Sequence, residues 1–117
     1  MNSGVYLAIF RLPRPRTMAI GRLGRFTLRR GFYLDVGSAQ RNLQARLARH
    51  GRRRKPLRWH IEHLSAKAPL AGALLLRGPK SWECRLAAIM AKHYPRPIAR
   101  FGASDCRCGG HLFYCPA

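Results

Sequence analysis

Gly31-Phe32-Tyr33-Leu34-Asp35-Val36-Gly37-Ser38-Ala39, followed by Leu43, Arg46, Leu47 and His50, is the stretch in which the chain changes period. Phe32 to Val36 is rich in aromatic and β-branched residues and predicts a strand. Gly37 and Ser38 break that pattern, and Ser38 stands where a helix N-cap is expected. Gln40 to His50 then carries a helical signal. Leu43 and Leu47 lie four apart and predict a core-facing stripe, with Arg46 and His50 four apart on its flank. Gly51 is placed to end that helix. A strand that feeds a short helix through a Gly-Ser break is the nucleus of a mixed fold.

Outward from this nucleus the same alternation recurs. Gly4 to Leu12 places Val5, Leu7 and Ile9 on one side and Tyr6 and Ala8 on the other, which predicts a strand closed by Pro13 and Pro15. Thr17 to Ile20 and Arg25 to Leu28 are short candidate strands, with Gly21 and Gly24 marking the turn between them. Downstream, Trp59 to Leu64 and Ala73 to Arg77 read as strands. Ser81 to His93 reads as a helix with Ser81 at its N-cap and Leu86, Ile89 and Met90 as its apolar side. Pro95 and Pro97 end it, and the apolar run Leu112 to Tyr114 follows a Gly-Ala-Ser-Asp turn. With no internal repeat, the pattern predicts one α+β domain over residues 1–117, a central antiparallel sheet flanked by helices.

Charge bounds the function. The 117 residues hold 23 Lys+Arg against 4 Asp+Glu, a formal net charge of +19. Self-repulsion of that size works against the free compact state, and a polyanion relieves it. DNA or RNA is the commonest such partner, with codon bias toward Arg as the bland alternative. Arg predominates over Lys, and its planar donor fork suits phosphate. Arg52, Arg53, Arg54, Lys55 and Arg58 form the densest run, a loop expected to contact nucleic acid. The longest apolar stretch, Leu70 to Leu76, is far short of the roughly 20 residues of a membrane span. Four cysteines without an export signal predict reduced thiols and a cytoplasmic location.

Acidic residues are scarce enough that each is informative: Asp35, Glu62, Glu83 and Asp105. Cleaving a phosphodiester needs little acid if one carboxylate holds one Mg²⁺ or Mn²⁺. It also needs a proton-transfer group and a cation for the charge that builds on phosphorus. Arg46, His50 and His60 are of the right types, although an Arg/His pair on a helix is more often a solvated face. Cys106, Cys108 and His111 form Cys-x-Cys-x-x-His. With Cys84 they offer four ligands of the kinds Zn²⁺ takes, against the alternative of buried reduced thiols.

Gly4-Val5-Tyr6, the Gly31–Ala39 stretch and Leu43-x-x-Arg46-x-x-x-His50 resemble the core of the GIY-YIG nucleases. Trp59-His60-Ile61-Glu62, Glu83-Cys84 and Phe101-Gly102-Ala103-Ser104-Asp105-Cys106-x-Cys108-x-x-His111-Leu112-Phe113 resemble one branch of that superfamily, members of which are also fused to endonuclease III-type DNA glycosylases. The resemblance implies a three-stranded antiparallel sheet flanked by helices and a divalent-metal-dependent endonuclease acting on DNA rather than RNA, with DNA repair as a context. It implies Tyr6 lining the site, Arg46 against the phosphorane charge, His50 and His60 in proton transfer and substrate contact, and Glu83 on the metal. Asp35 stands where the superfamily has the tyrosine of its second motif. It is an alternative base or ligand, the mark of a member that kept the fold and the nucleic-acid surface and lost cleavage, or a structural carboxylate paired with one of the many arginines.

Overall fold

The structure is a computed structural model that describes residues 4–39, 64, 67–101 and 108–116. Its frame is the antiparallel pairing of β1 (Gly4–Leu12) with β4 (Gly31–Ala39), an unbroken register running from Gly4 opposite Ala39 to Leu12 opposite Gly31. β5 (Leu70–Leu76) pairs with the other edge of β1, with an irregularity between Ile9 and Phe10. β6 (Leu112–Cys115) pairs with β4, which gives the order β5-β1-β4-β6. β2 (Arg16–Ile20) and β3 (Gly24–Leu28) form a separate hairpin around a 3-10 turn, Gly21–Leu23. The α-helix α1 (Trp82–Ala91) lies on the sheet. The α+β class expected from the sequence is what the chain adopts, with four strands in the main sheet instead of three.

Both faces of β1 are covered, which is why Gly4 to Leu12 is apolar almost throughout. Tyr6, Ala8, Phe10 and Leu12 pack with Tyr33, Leu112 and Tyr114 against the hairpin residues Met18, Ile20 and Leu28 and against Ile98 and Phe101. Val5, Leu34, Val36 and Phe113 form the opposite face beneath α1, where Ala87 is fully buried and Leu86, Met90 and Ala91 pack around it. Residues directly opposite in an antiparallel pair share a face. The register therefore places Tyr6, Asp35 and Gly37 on the hairpin side, and Val5, Val36 and Ser38 on the helix side.

Several expectations need correction. Ser38 does not break the strand: β4 runs on to Ala39 because β1 supplies ladder partners to its end. Leu64, the last residue of the strand expected from Trp59, is helical, and its carbonyl accepts from the N–H groups of Lys67 and Ala68. Ile89 is 53% exposed rather than core-facing, because Ala87 takes the contact with the sheet. Ser81 holds the N-cap position of α1 without a side-chain capping bond. The helix expected over Gln40 to His50 lies outside the described residues.

Gly37 is required by a close approach. The Tyr6 ring lies over it, and a Cβ at position 37 would overlap the end of that ring. Tyr6 is buried, so the ring cannot swing out into solvent without leaving the core. Gly37→Ala is expected to destabilise the fold by about 1–3 kcal/mol, the usual range for overpacking. Thermal unfolding checks this, and the cost should shrink in a Tyr6→Leu background because the two residues are in contact. Equal costs in both backgrounds would mean that Tyr6 is not what excludes the methyl group.

Candidate functional site

Three parts of the chain converge on the carboxylate of Glu83. The first is the end of β4, where Ser38 faces the helix side and its Oγ donates to Glu83 Oε1 at 2.5 Å. The second is the first turn of α1, which carries Glu83 and Cys84 side by side. An acid there also meets the partial positive charge of the helix N-terminus. The third is the segment 108–111 that leads into β6.

That third segment is held by backbone bonds on every side. The Arg100 N–H donates to the Gly109 carbonyl at 2.7 Å, the His111 N–H to the Phe101 carbonyl at 2.7 Å, and the Val36 N–H to the His111 carbonyl at 2.9 Å. The Arg96 guanidinium adds a bond to the Gly110 carbonyl, and that of Arg100 one to the Cys108 carbonyl. Gly110 sits at φ 145, where a side chain would be strained. Arg100 occupies the left-handed region at φ 64 without that freedom, and its two bonds to residues 108 and 109 offset the strain.

The segment delivers His111, fully buried, to Glu83: Nδ1 lies 2.8 Å from Oε2. The pair meets the distance of an ion pair but not the angle of a linear hydrogen bond. Burial favours the neutral imidazole, but the contacts and charges of Glu83 and Cys108 outweigh it and raise the His111 pKa to about 8. Burial likewise opposes the charged form of Glu83. Its contact with His111 and the bond from Ser38, with the charges of His111 and Lys80, outweigh that and hold it below the usual carboxylate value. On the other edge of the ring, Nε2 is 3.9 Å from Cys84 Sγ. Cys84, Cys108 and His111 each present a ligand atom, all within 4.8 Å of one another.

These donors decide which metal suits the place. Mg²⁺ and Mn²⁺ favour oxygen ligands, whereas the neighbours of Glu83 offer two sulfurs and a nitrogen. Both carboxylate oxygens are already engaged, one by Ser38 and one by His111. The donor set described around Glu83 does not fit Mg²⁺ or Mn²⁺.

The sequence candidates divide into groups. Glu83, Cys84, Cys108 and His111 come together. Tyr6 and Asp35 are buried on the hairpin side of the sheet, opposite the face on which Ser38 meets Glu83. Arg46, His50, His60, Arg52, Arg53, Arg54, Lys55, Arg58 and Cys106 lie outside the described residues. Two features escaped the sequence reading. Ser38 had no signal as a partner of a glutamate 45 residues away. The hairpin region 14–30 carries Arg14, Arg16, Arg22, Arg25, Arg29 and Arg30, all exposed, and no acidic residue. That cluster was countable in the sequence but is spread over two strands and a turn, so no dense run marks it.

Residues 5–117 match the family described as Domain of unknown function DUF123, and the chain belongs to that family. No curated protein and no solved structure matches the chain.

The Glu83–His111 pair gives the metal-free chain a pH signature. His111, raised to about 8, contributes stability that is full below pH 6.5 and is lost as pH rises through about 8. Glu83, held below 4.5, contributes stability that is present above pH 4.5 and lost as the carboxylate protonates in acid. In chelator, the unfolding free energy is expected to fall by about 2 kcal/mol between pH 6.5 and roughly pH 9. His111→Gln should remove that slope, measured by denaturant unfolding across the range; an unchanged slope would place the titrating group elsewhere.

Proposed function

We propose that this DUF123 domain binds nucleic acid, DNA in preference to RNA, through a strongly basic surface on a nuclease-like α+β fold. The observation that carries the reading is the charge: 23 Lys+Arg against 4 Asp+Glu cannot be neutralised within the chain. Every described Lys and Arg is exposed, so the excess faces solvent. The hairpin arginines and the run Arg52, Arg53, Arg54, Lys55 and Arg58 are the two densest sources of phosphate contacts. Arg29 also stacks over the Tyr114 ring, 4.5 Å from its centroid, beside a cavity of about 230 Å³ lined by Phe26, Thr27, Tyr33 and Pro97. An aromatic and guanidinium wall of this kind suits an unstacked base.

Within this reading the chain is a binding module, and the engagement of Glu83 by Ser38 and His111 favours that form. A second form, the metal-dependent phosphodiester cleavage of the GIY-YIG nucleases, is favoured by a different observation. Tyr6 lies against Gly37 on the face that also carries Asp35, an arrangement that supports this form. In that form Arg46, His50 and His60 would join them, and Arg46 would meet the charge that grows on phosphorus.

One set of experiments tests both forms. If about five phosphates are neutralised, log K against log[salt] should fall with a slope of about −4.5. Reversing Arg52, Arg53 and Arg54 to Glu, or Arg22 and Arg25 to Glu, should flatten that slope. A slope near zero would remove nucleic acid as the partner. The same protein is then incubated with branched, single-stranded and duplex DNA in Mg²⁺ or Mn²⁺. Binding with intact DNA supports the module. Cleavage that Arg46→Ala lowers on the order of 10²-fold, with binding retained, supports the nuclease.

A further inference from the structure

We propose that Cys84, Cys108 and His111 hold one Zn²⁺ ion that staples α1 to the segment entering β6, and that Glu83 is the carboxylate that orients His111 on that ion. The ligand atoms are already almost where the metal needs them. Zn–S bonds of about 2.3 Å and Zn–N bonds of about 2.0–2.1 Å at tetrahedral angles put bound sulfur and nitrogen roughly 3.6 Å apart. Cys84 Sγ and His111 Nε2 stand at 3.9 Å, and the third ligand atom lies within 4.8 Å of both. Thiol rotations that move the sulfurs by up to about 1 Å would close the triangle around an ion, with one further position to complete the tetrahedron.

The surroundings of the ring support the same assignment. A metal-bound histidine commonly directs its other ring nitrogen at a carboxylate, which fixes the tautomer and raises ligand basicity. His111 does this. Nε2 lies 3.9 Å from Cys84 Sγ while Nδ1 lies 2.8 Å from Glu83 Oε2, and Ser38 holds the far oxygen of the same carboxylate. The imidazole is fully buried and its backbone is tied at both N–H and carbonyl, so it arrives preorganised. Two sulfurs and a nitrogen form a borderline-soft set that selects zinc over magnesium or calcium. Cys84 in the first turn of α1 is where the helix dipole favours a thiolate.

The assignment gives Glu83 a positioning role instead of a ligand role on a catalytic ion. It also accounts for the cost of burying a histidine beside a half-buried glutamate in a chain with only 4 acidic residues. Because the ligands come from α1 and from residues 108–111, the ion would join parts of the chain that are held together within this site by side chains alone.

The test is metal content and coordination of the full chain. Protein purified without chelator is expected to carry one zinc by elemental analysis, and Cys84→Ser and Cys108→Ser each to lose it. Cys115→Ser, whose thiol lies outside the cluster, should keep it. Glu83→Gln should retain stoichiometric zinc but bind it about 10–100-fold more weakly in competition with a chromophoric chelator, as a residue acting through His111 should. Cobalt substitution of the wild-type chain reads the geometry without relying on variants that fold poorly. Thiolate-to-cobalt charge transfer with intense tetrahedral bands is the expected spectrum. A chain that takes up neither metal, or binds cobalt in a weakly absorbing octahedral form without charge transfer, would overturn the proposal.

Discussion

The pairing of β1 with β4 is the constraint on which the remaining architecture depends. The register is continuous over nine residues of each strand, so it assigns every side chain of both strands to a face. A one-residue slip would move Ser38 away from α1 and turn Tyr6 out of the core. The approach of the Tyr6 ring to Gly37 makes such a slip costly, since only a glycine leaves room for that ring. With the faces fixed, α1 covers one side through Ala87 and its neighbours, and the hairpin closes the other.

From that frame the Glu83 site follows by convergence. Ser38 arrives because β4 runs to Ala39, Glu83 because α1 begins at Trp82, and His111 because its carbonyl accepts from the Val36 N–H. Each approach is set by backbone geometry, so the buried His111 meets a half-buried carboxylate instead of being desolvated without a partner. The low count of carboxylates sharpens the point. In a chain of net charge +19, a glutamate directed at a buried histidine rather than a surface arginine marks a specific use.

Much of the fold was legible because period-2 alternation and Gly or Pro punctuation mark strands directly. β1 matches its expected span from Gly4 to Leu12, and β2, β3 and α1 lie within a few residues of theirs. Legibility failed where tertiary contact overrode local pattern. Gly37-Ser38 looks like a break, yet a neighbouring strand supplies ladder partners through it. Leu86, Ile89 and Met90 look like a stripe, yet the small Ala87 sits at the closest approach and leaves Ile89 in water. Cys-x-Cys-x-x-His and Cys84 could be grouped as metal ligands from residue type alone, and Cys84, Cys108 and His111 do meet. That Glu83 would serve His111 could not be read, because a contact across 28 positions leaves no periodic trace.

Two chemistries thus share one small domain: a solvated basic exterior suited to phosphate, and a partly buried carboxylate and thiol cluster around a buried imidazole, suited to a borderline-soft cation. What links them is the placement of Glu83 against His111 rather than on the basic exterior. The most direct measurement is long-range proton–nitrogen correlation NMR of the His111 ring in the protein as purified at neutral pH. The account predicts a single tautomer, with Nδ1 protonated toward Glu83 and Nε2 unprotonated at the shift of a metal-bound nitrogen. Two averaged, exchanging ring nitrogens, or a proton fixed on Nε2, would contradict it.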